Sequence, residues 1–186
     1  MMEEYDYAQQ PVEIRCYRGS AEEDVLVAQW WGELAAAGDL EMLLFPQTHA
    51  LGAFMGMWRD GRRMLFYALD REQRIWLACW IEPILERVAF LSLWIRRDLR
   101  RTRKAAAHTR WLYEEAFRHI DVIYGLTRQE RLLAMHERSG YRVVSRLQNA
   151  WGGVADAWLL ELQRDNFTMR RPHRGREEDP QCNSND

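Results

Sequence analysis

Between residues 12 and 17, Val, Ile and Cys alternate with Glu, Arg and Tyr, the period of a strand that buries one face. Ser20 and Glu23 then have the spacing of a capping box. Val27, Trp30, Trp31 and Leu34 follow at helical spacing, and Gly38 marks the stop. From Asp39 to Trp58 the pattern is mixed: Pro46 interrupts it and Gly52 and Gly56 punctuate an apolar run, which predicts one or two short helices. Three apolar runs, 64–69, 75–81 and 88–95, are separated by charged turns at 70–74 and 82–87, and so predict an antiparallel meander. A long helix is predicted over 100–119, with Ala105, Thr109, Leu112 and Ala116 as its buried stripe. Beyond it the pattern gives a strand at 121–127, a helix over 130–139 stopped by Gly140, and two closing strands, 141–147 and 157–162, around Gly152 and Gly153.

From Asp165 onward apolar residues almost vanish, so 165–186 is expected to be a disordered polar tail. A single domain over 12–164, preceded by an extension at 1–11, accounts for the rest. The order β, α, α, then β, β, β, α, β, α, β, β implies an α+β domain. A strand, a crossover helix and a further strand favour parallel pairing of 88–95 with 121–127 inside a largely antiparallel sheet.

Composition narrows the function classes. Lys and Arg number 26 against 28 Asp and Glu, a formal charge of -2, so no global basic field favours nucleic acid or an anionic membrane. No apolar run is long enough to span a bilayer, and the acidic start Met-Met-Glu-Glu-Tyr-Asp differs from a positive signal-peptide start; a cytoplasmic protein is expected. Cys16, Cys79 and Cys182 have neither metal-ligand nor redox spacing, so neither a metal site nor a disulfide framework is expected. Lys104 is the only lysine, which makes arginine clusters here weaker evidence for anion recognition than they are in a lysine-rich chain. The 9 tryptophans mostly fall inside predicted elements and read as core, although adjacent Trp30 and Trp31 cannot both face inward.

Leu93-Trp94-Ile95, an arginine-rich turn, a long helix, a short strand and a helix closing on Ser139-Gly140-Tyr141 together resemble the GNAT superfamily of acyl-CoA-dependent N-acetyltransferases, over roughly residues 12–163. The family's phosphate turn, Gln or Arg, two residues, Gly, one residue, Gly or Ala, corresponds to Arg100-Arg101-Thr102-Arg103-Lys104-Ala105. Arg100 and Ala105 match it, whereas Arg103 stands at the glycine position. Unpaired amides at a helix N-terminus attract phosphate by themselves, and an arginine at that position either crowds the phosphate or pairs with it. A solvated surface turn is the competing reading of the six cations Arg96, Arg97, Arg100, Arg101, Arg103 and Lys104.

The resemblance implies that acetyl-CoA is the co-substrate, with pantetheine beside Leu93 and Ile95 and phosphates on Arg100, Arg101, Thr102, Arg103, Lys104 and Ala105. Gln129 stands for the family's Asn. His136 stands for the Tyr that protonates the departing thiolate in many members, and capping the helix end is its alternative role. No general base is evident: 88–95 offers only Ser92, and Glu82 and Glu86 fall at the far end of that strand. Two functions stay open. One is acetyl transfer to a small or protein amine; the other is a catalytically inactive GNAT-fold structural or binding protein, of the phage-assembly kind, with protein partners.

Overall fold

The computed structural model describes residues 14–43, 49–100, 102–151 and 155–167, the side chains of Met42, Leu43, Arg103, Lys104 and Trp151 excepted. Strands β1 (Ile14–Cys16), β2 (Met64–Leu69), β3 (Ile75–Leu85), β4 (Val88–Ile95), β5 (Val122–Thr127), β6 (Arg142–Trp151) and β7 (Ala155–Gln163) form a single sheet. Its order is β1-β2-β3-β4-β5-β7-β6. Every neighbouring pair is antiparallel except β4 and β5, which run parallel as the crossover pattern requires.

Helices α1 (Ala21–Ala37), α2 (Leu40–Leu43) and α3 (Leu51–Arg59) cover one face, and α4 (Arg103–Ala116) with α5 (Leu133–Arg138) the other. The start of α1 is the expected capping box, with Ser20 and Glu23 each satisfying the other's backbone N–H, and Gly38 ends it in the left-handed region at φ 69°. Trp30 lies at the centre of the first core, its ring 5.3 Å from Phe54 and 5.7 Å from Trp94. Trp31 stays half-buried and its indole donates to the carbonyl of His49, so the adjacent tryptophans divide between core and surface. On the other face the stripe Ala105, Thr109, Leu112 and Ala116 is buried as its spacing predicts. No helix among the described residues is long and apolar enough to cross a membrane.

Several boundaries differ from the pattern. Strand β3 runs on to Leu85, so the turn shrinks to Glu86 and Arg87; Pro83 is accommodated by a register shift against β4. The long helix starts at Arg103 because Thr102 caps it, and Arg97–Leu99 forms a separate 3-10 turn. Helix α5 is preceded by a 3-10 turn at Glu130–Leu132, and β6 and β7 are longer than their apolar cores. Beyond β7, Phe167 packs on Tyr113 and Phe117, both rings 5.5 Å away. Residues 1–13 and 168–186, and with them the extension and most of the polar tail, lie outside the described residues.

Candidate functional site

The ladder between β4 and β5 is short. Val88, Ala89 and Phe90 pair with Val122, Ile123 and Tyr124, and no registered pair follows, although β4 continues to Ile95 and β5 to Thr127. The strands therefore splay, leaving a wedge-shaped gap in the middle of the sheet. The N–H of Arg96 donates to Trp76 on β3, so the even-numbered residues at this end of β4 bond to β3. By the alternation of an antiparallel ladder, the N–H and C=O groups of Leu93 and Ile95 face the gap instead.

Buried and half-exposed carboxylates, together with one backbone carbonyl, fix the mouth of this gap. Asp39, directly after the α1 cap, is 1% exposed. It accepts from Trp94 Nε1 at 2.9 Å, from Arg97 at 2.7 Å and from Arg100 at 3.0 Å. Burial opposes its charge, but the indole and the two guanidinium groups outweigh that penalty and hold its pKa below the usual 3.8. Arg128, just past β5, donates to the carbonyl of Glu41. The stretch from Asp39 to Glu41 thus ties the end of β4 to the end of β5 across the open side of the wedge. Arg96, in turn, pairs with Asp70 at 2.6 Å and with Asp98 at 2.9 Å.

These contacts change the reading of the arginine-rich turn. Arg96, Arg97 and Arg100 are each paired with a carboxylate, Arg97 and Arg100 while still exposed to solvent. Arg100 also donates from Nε to the carbonyl of Ile95 at 2.7 Å, so one of the gap-facing groups is already taken. Thr102 Oγ1 accepts the N–H of Ala105 at 3.1 Å and donates to Leu99, closing off one first-turn amide of α4. The first-turn amides of Arg103 and Lys104 have no acceptor within the helix by construction. Arg101 and the side chains of Arg103 and Lys104 lie outside the described residues.

On the far side of the gap, Gln129 receives Arg131 on its side-chain oxygen at 3.0 Å, and its own N–H goes to Thr127 Oγ1 at 3.2 Å. His136 is half-buried on α5, its ring 5.4 Å from and nearly perpendicular to that of Tyr141. Burial pushes its pKa below 6.5, so the imidazole is largely neutral at pH 7. Tyr141 and Tyr113 share a hydrogen bond of 2.7 Å in the core, where burial raises both phenols.

A second buried carboxylate escaped the sequence reading, which looked for acids only on β4 and in the turn before it. Glu161 on β7 accepts from Tyr124 Oη and from Arg142, both at 2.9 Å, and from Gln163 at 3.1 Å. Its sequence signal was an acid between two leucines in a predicted strand. Phe90, Tyr124, Glu161 and Arg142 are directly opposite one another across four strands and so share one face. Ile123, Leu160 and Leu162 pack under α4, so this row lies on the opposite face, beyond the part that α1 and α3 cover.

No protein-family model and no curated protein matches the sequence. Solved structures do match the fold. Spermidine N-acetyltransferase from Vibrio cholerae, in complex with CoA and spermine, superposes at TM-score 0.62 with 11% identity, covering 82% of this chain and 96% of its own. RimJ of Mycobacterium smegmatis, in complex with CoA-disulfide, gives 0.60 at 15% identity, covering 82% of each chain. A GCN5-related N-acetyltransferase from Kribbella flavida gives 0.59 at 14%, covering 81% and 97%. The mixed seven-stranded sheet, its splayed parallel pair and these superpositions establish that the chain has the fold of the GNAT N-acetyltransferases.

Proposed function

We propose that the chain is an acyl-CoA-dependent N-acyltransferase that moves an acetyl group from acetyl-CoA to an amine. The observation that carries this reading is the interrupted β4–β5 ladder, which leaves the backbone of Leu93 and Ile95 turned into a gap. Such a gap accepts the amides of a pantetheine arm as if it were a further strand. At its mouth the α4 N-terminus supplies amides and the positive end of a helix dipole for phosphates. Two of the structural neighbours were solved with CoA or its disulfide, which supports acetyl-CoA as the donor here.

In this reading the amine nitrogen attacks the thioester carbonyl carbon. The C–N bond forms, the C–S bond breaks, and the sulfur leaves with the electron pair and is protonated. Leu93 and the N–H of Ile95 hold the pantetheine. Arg101, Thr102, Arg103, Lys104 and Ala105 surround the phosphates, and Gln129 borders the gap from the β5 side. Arg100 acts indirectly, holding the turn to Asp39. His136 remains the candidate acid. Its lowered pKa populates the imidazolium form only below pH 6.5, so acid catalysis by His136 predicts activity that falls as pH rises through that lowered value.

An inactive binding protein is the competing reading, favoured by the bond from Arg100 to the carbonyl of Ile95 and by Arg103 in place of glycine. Calorimetric titration with acetyl-CoA and CoA, followed by thiol release in the presence of an amine, separates the two. The acyltransferase reading expects saturable CoA binding and amine-dependent thiol release. Absence of binding to wild type at millimolar CoA, with binding regained in Arg103→Gly, would replace it with the inactive protein.

A further inference from the structure

We infer that the row Phe90–Tyr124–Glu161 is the docking site for a cationic amino group, and on the acyltransferase reading it selects an ammonium-bearing acceptor. Phe90 and Tyr124 are the last registered pair before the strands splay, and their rings lie 6.0 Å apart. The next residues on that face, Ser92 and Leu126, stand about 7 Å further along, where the gap is open. A group resting on Tyr124 is therefore at the edge of the gap, on the face free of α4.

The hydrogen bonding defines what that group is. A phenol has one proton and two lone pairs, and the proton of Tyr124 is committed to Glu161. Tyr124 Oη is left as an acceptor, which suits an N–H donor and repels a carboxylate or phosphate. Behind it, Glu161 is only 10% exposed on its side chain, and Tyr124, Arg142 and Gln163 occupy three of its acceptor positions. Its negative charge is thus fixed in a partly desolvated site, where it acts more strongly than on the surface. Its ion-pair partner Arg142 is 70% exposed on the edge strand β6, so solvent screens the countercharge more than the carboxylate. Two aromatic rings complete a surface suited to a cation. Glu161 and Tyr124 bind and orient the amine; the bond changes are those already given, and the proton released from the ammonium passes to solvent.

The test uses the full chain and n-butylammonium, with 1-butanol as the uncharged control of the same size. NMR shifts of the Tyr124 ring should saturate with millimolar n-butylammonium and not with 1-butanol. Glu161→Gln and Tyr124→Phe, both near-isosteric, should weaken that binding about tenfold, whereas Arg142→Gln should strengthen it several-fold. That opposite sign is a response a purely structural cluster would not give. In the transfer assay Glu161→Gln should raise KM for n-butylamine about tenfold, with kcat within about threefold and CoA affinity unchanged. Loss of CoA binding in wild type would sink the acyltransferase reading alone, since the ammonium titration needs no CoA. The docking site is overturned if n-butylammonium gives no saturable shift, if 1-butanol binds equally, or if Glu161→Gln and Tyr124→Phe bind the amine as wild type does.

Discussion

Replacing Asp39 with Asn removes a single charge while keeping its shape, at the point where α2, β4 and the turn before α4 meet. Three donors converge on the carboxylate: Trp94, Arg97 and Arg100. Hydrogen bonds to a charged group contribute about 1.5–3 kcal/mol each when buried. Asp39 is 2% exposed on its side chain, but Arg97 and Arg100 are 57% and 39% exposed, so both guanidinium groups can turn to water once the charge is gone. That discounts the loss to about 2–4 kcal/mol in total, below the figure for a fully buried pair broken on one side. For a domain of this size each kcal/mol lowers Tm by about 2–4 °C, so calorimetry should show a drop on the order of 10 °C for Asp39→Asn. The folded pKa of Asp39 is lowered, so its stabilisation is complete above the unfolded value and is lost as pH falls through the folded one. The difference in Tm between wild type and Asp39→Asn should therefore be full at pH 6 and shrink below pH 4. A variant melting within about 1 °C of wild type at pH 6 would refute the view that Asp39 clasps the gap.

Three further perturbations test separate parts of the packing. Gly140 has φ +94°, and a Cβ there would lie 1.8 Å from the carbonyl oxygen of Asn166; Gly140→Ala should cost about 3 kcal/mol and loosen Phe167 from Tyr113, read by near-UV circular dichroism. Tyr113→Phe leaves the buried hydroxyl of Tyr141 without its partner and should cost about 1–3 kcal/mol in urea unfolding. Adding Tyr141→Phe should cost little more, whereas strict additivity would mean the pair is not coupled. The imidazole of His136 should titrate below 6.5 by NMR. Because the unfolded chain then binds that proton more tightly, wild type should lose stability as pH falls below 6.5 along a slope that His136→Phe lacks.

The elements were legible because each rests on local chemistry. The capping box at Ser20, the left-handed stop at Gly38 and the stripe from Ala105 to Ala116 need only neighbours within a turn or two. The parallel β4–β5 pair followed from chain order and handedness. Boundaries slipped where one side chain overruled a pattern, as when the Thr102 hydroxyl started α4 three residues later than the arginine run suggested. Strand β3 outran its apolar core because Glu82 and Pro83 still pair with Phe90 and Ala89.

The site was less legible, for a reason of the same physical kind. A lone acid such as Asp39 carries no periodicity, and its partners Trp94, Arg97 and Arg100 lie more than fifty residues away in the chain. Only the folded chain shows that the arginine run is divided, with Arg96, Arg97 and Arg100 serving the frame. On the acyltransferase reading, direct anion binding is then left to Arg101, Arg103 and Lys104 and to the backbone amides at the start of α4. This division bears on the substitution at the glycine position. Asp39 and Asp70 hold the turn through Arg96, Arg97 and Arg100, so on the acyltransferase reading Arg103→Gly should leave Tm within about 1 °C of wild type while changing CoA affinity. A large fall in Tm with no change in affinity would reverse the assignment, making Arg103 part of the frame and leaving the amides alone to meet the phosphate.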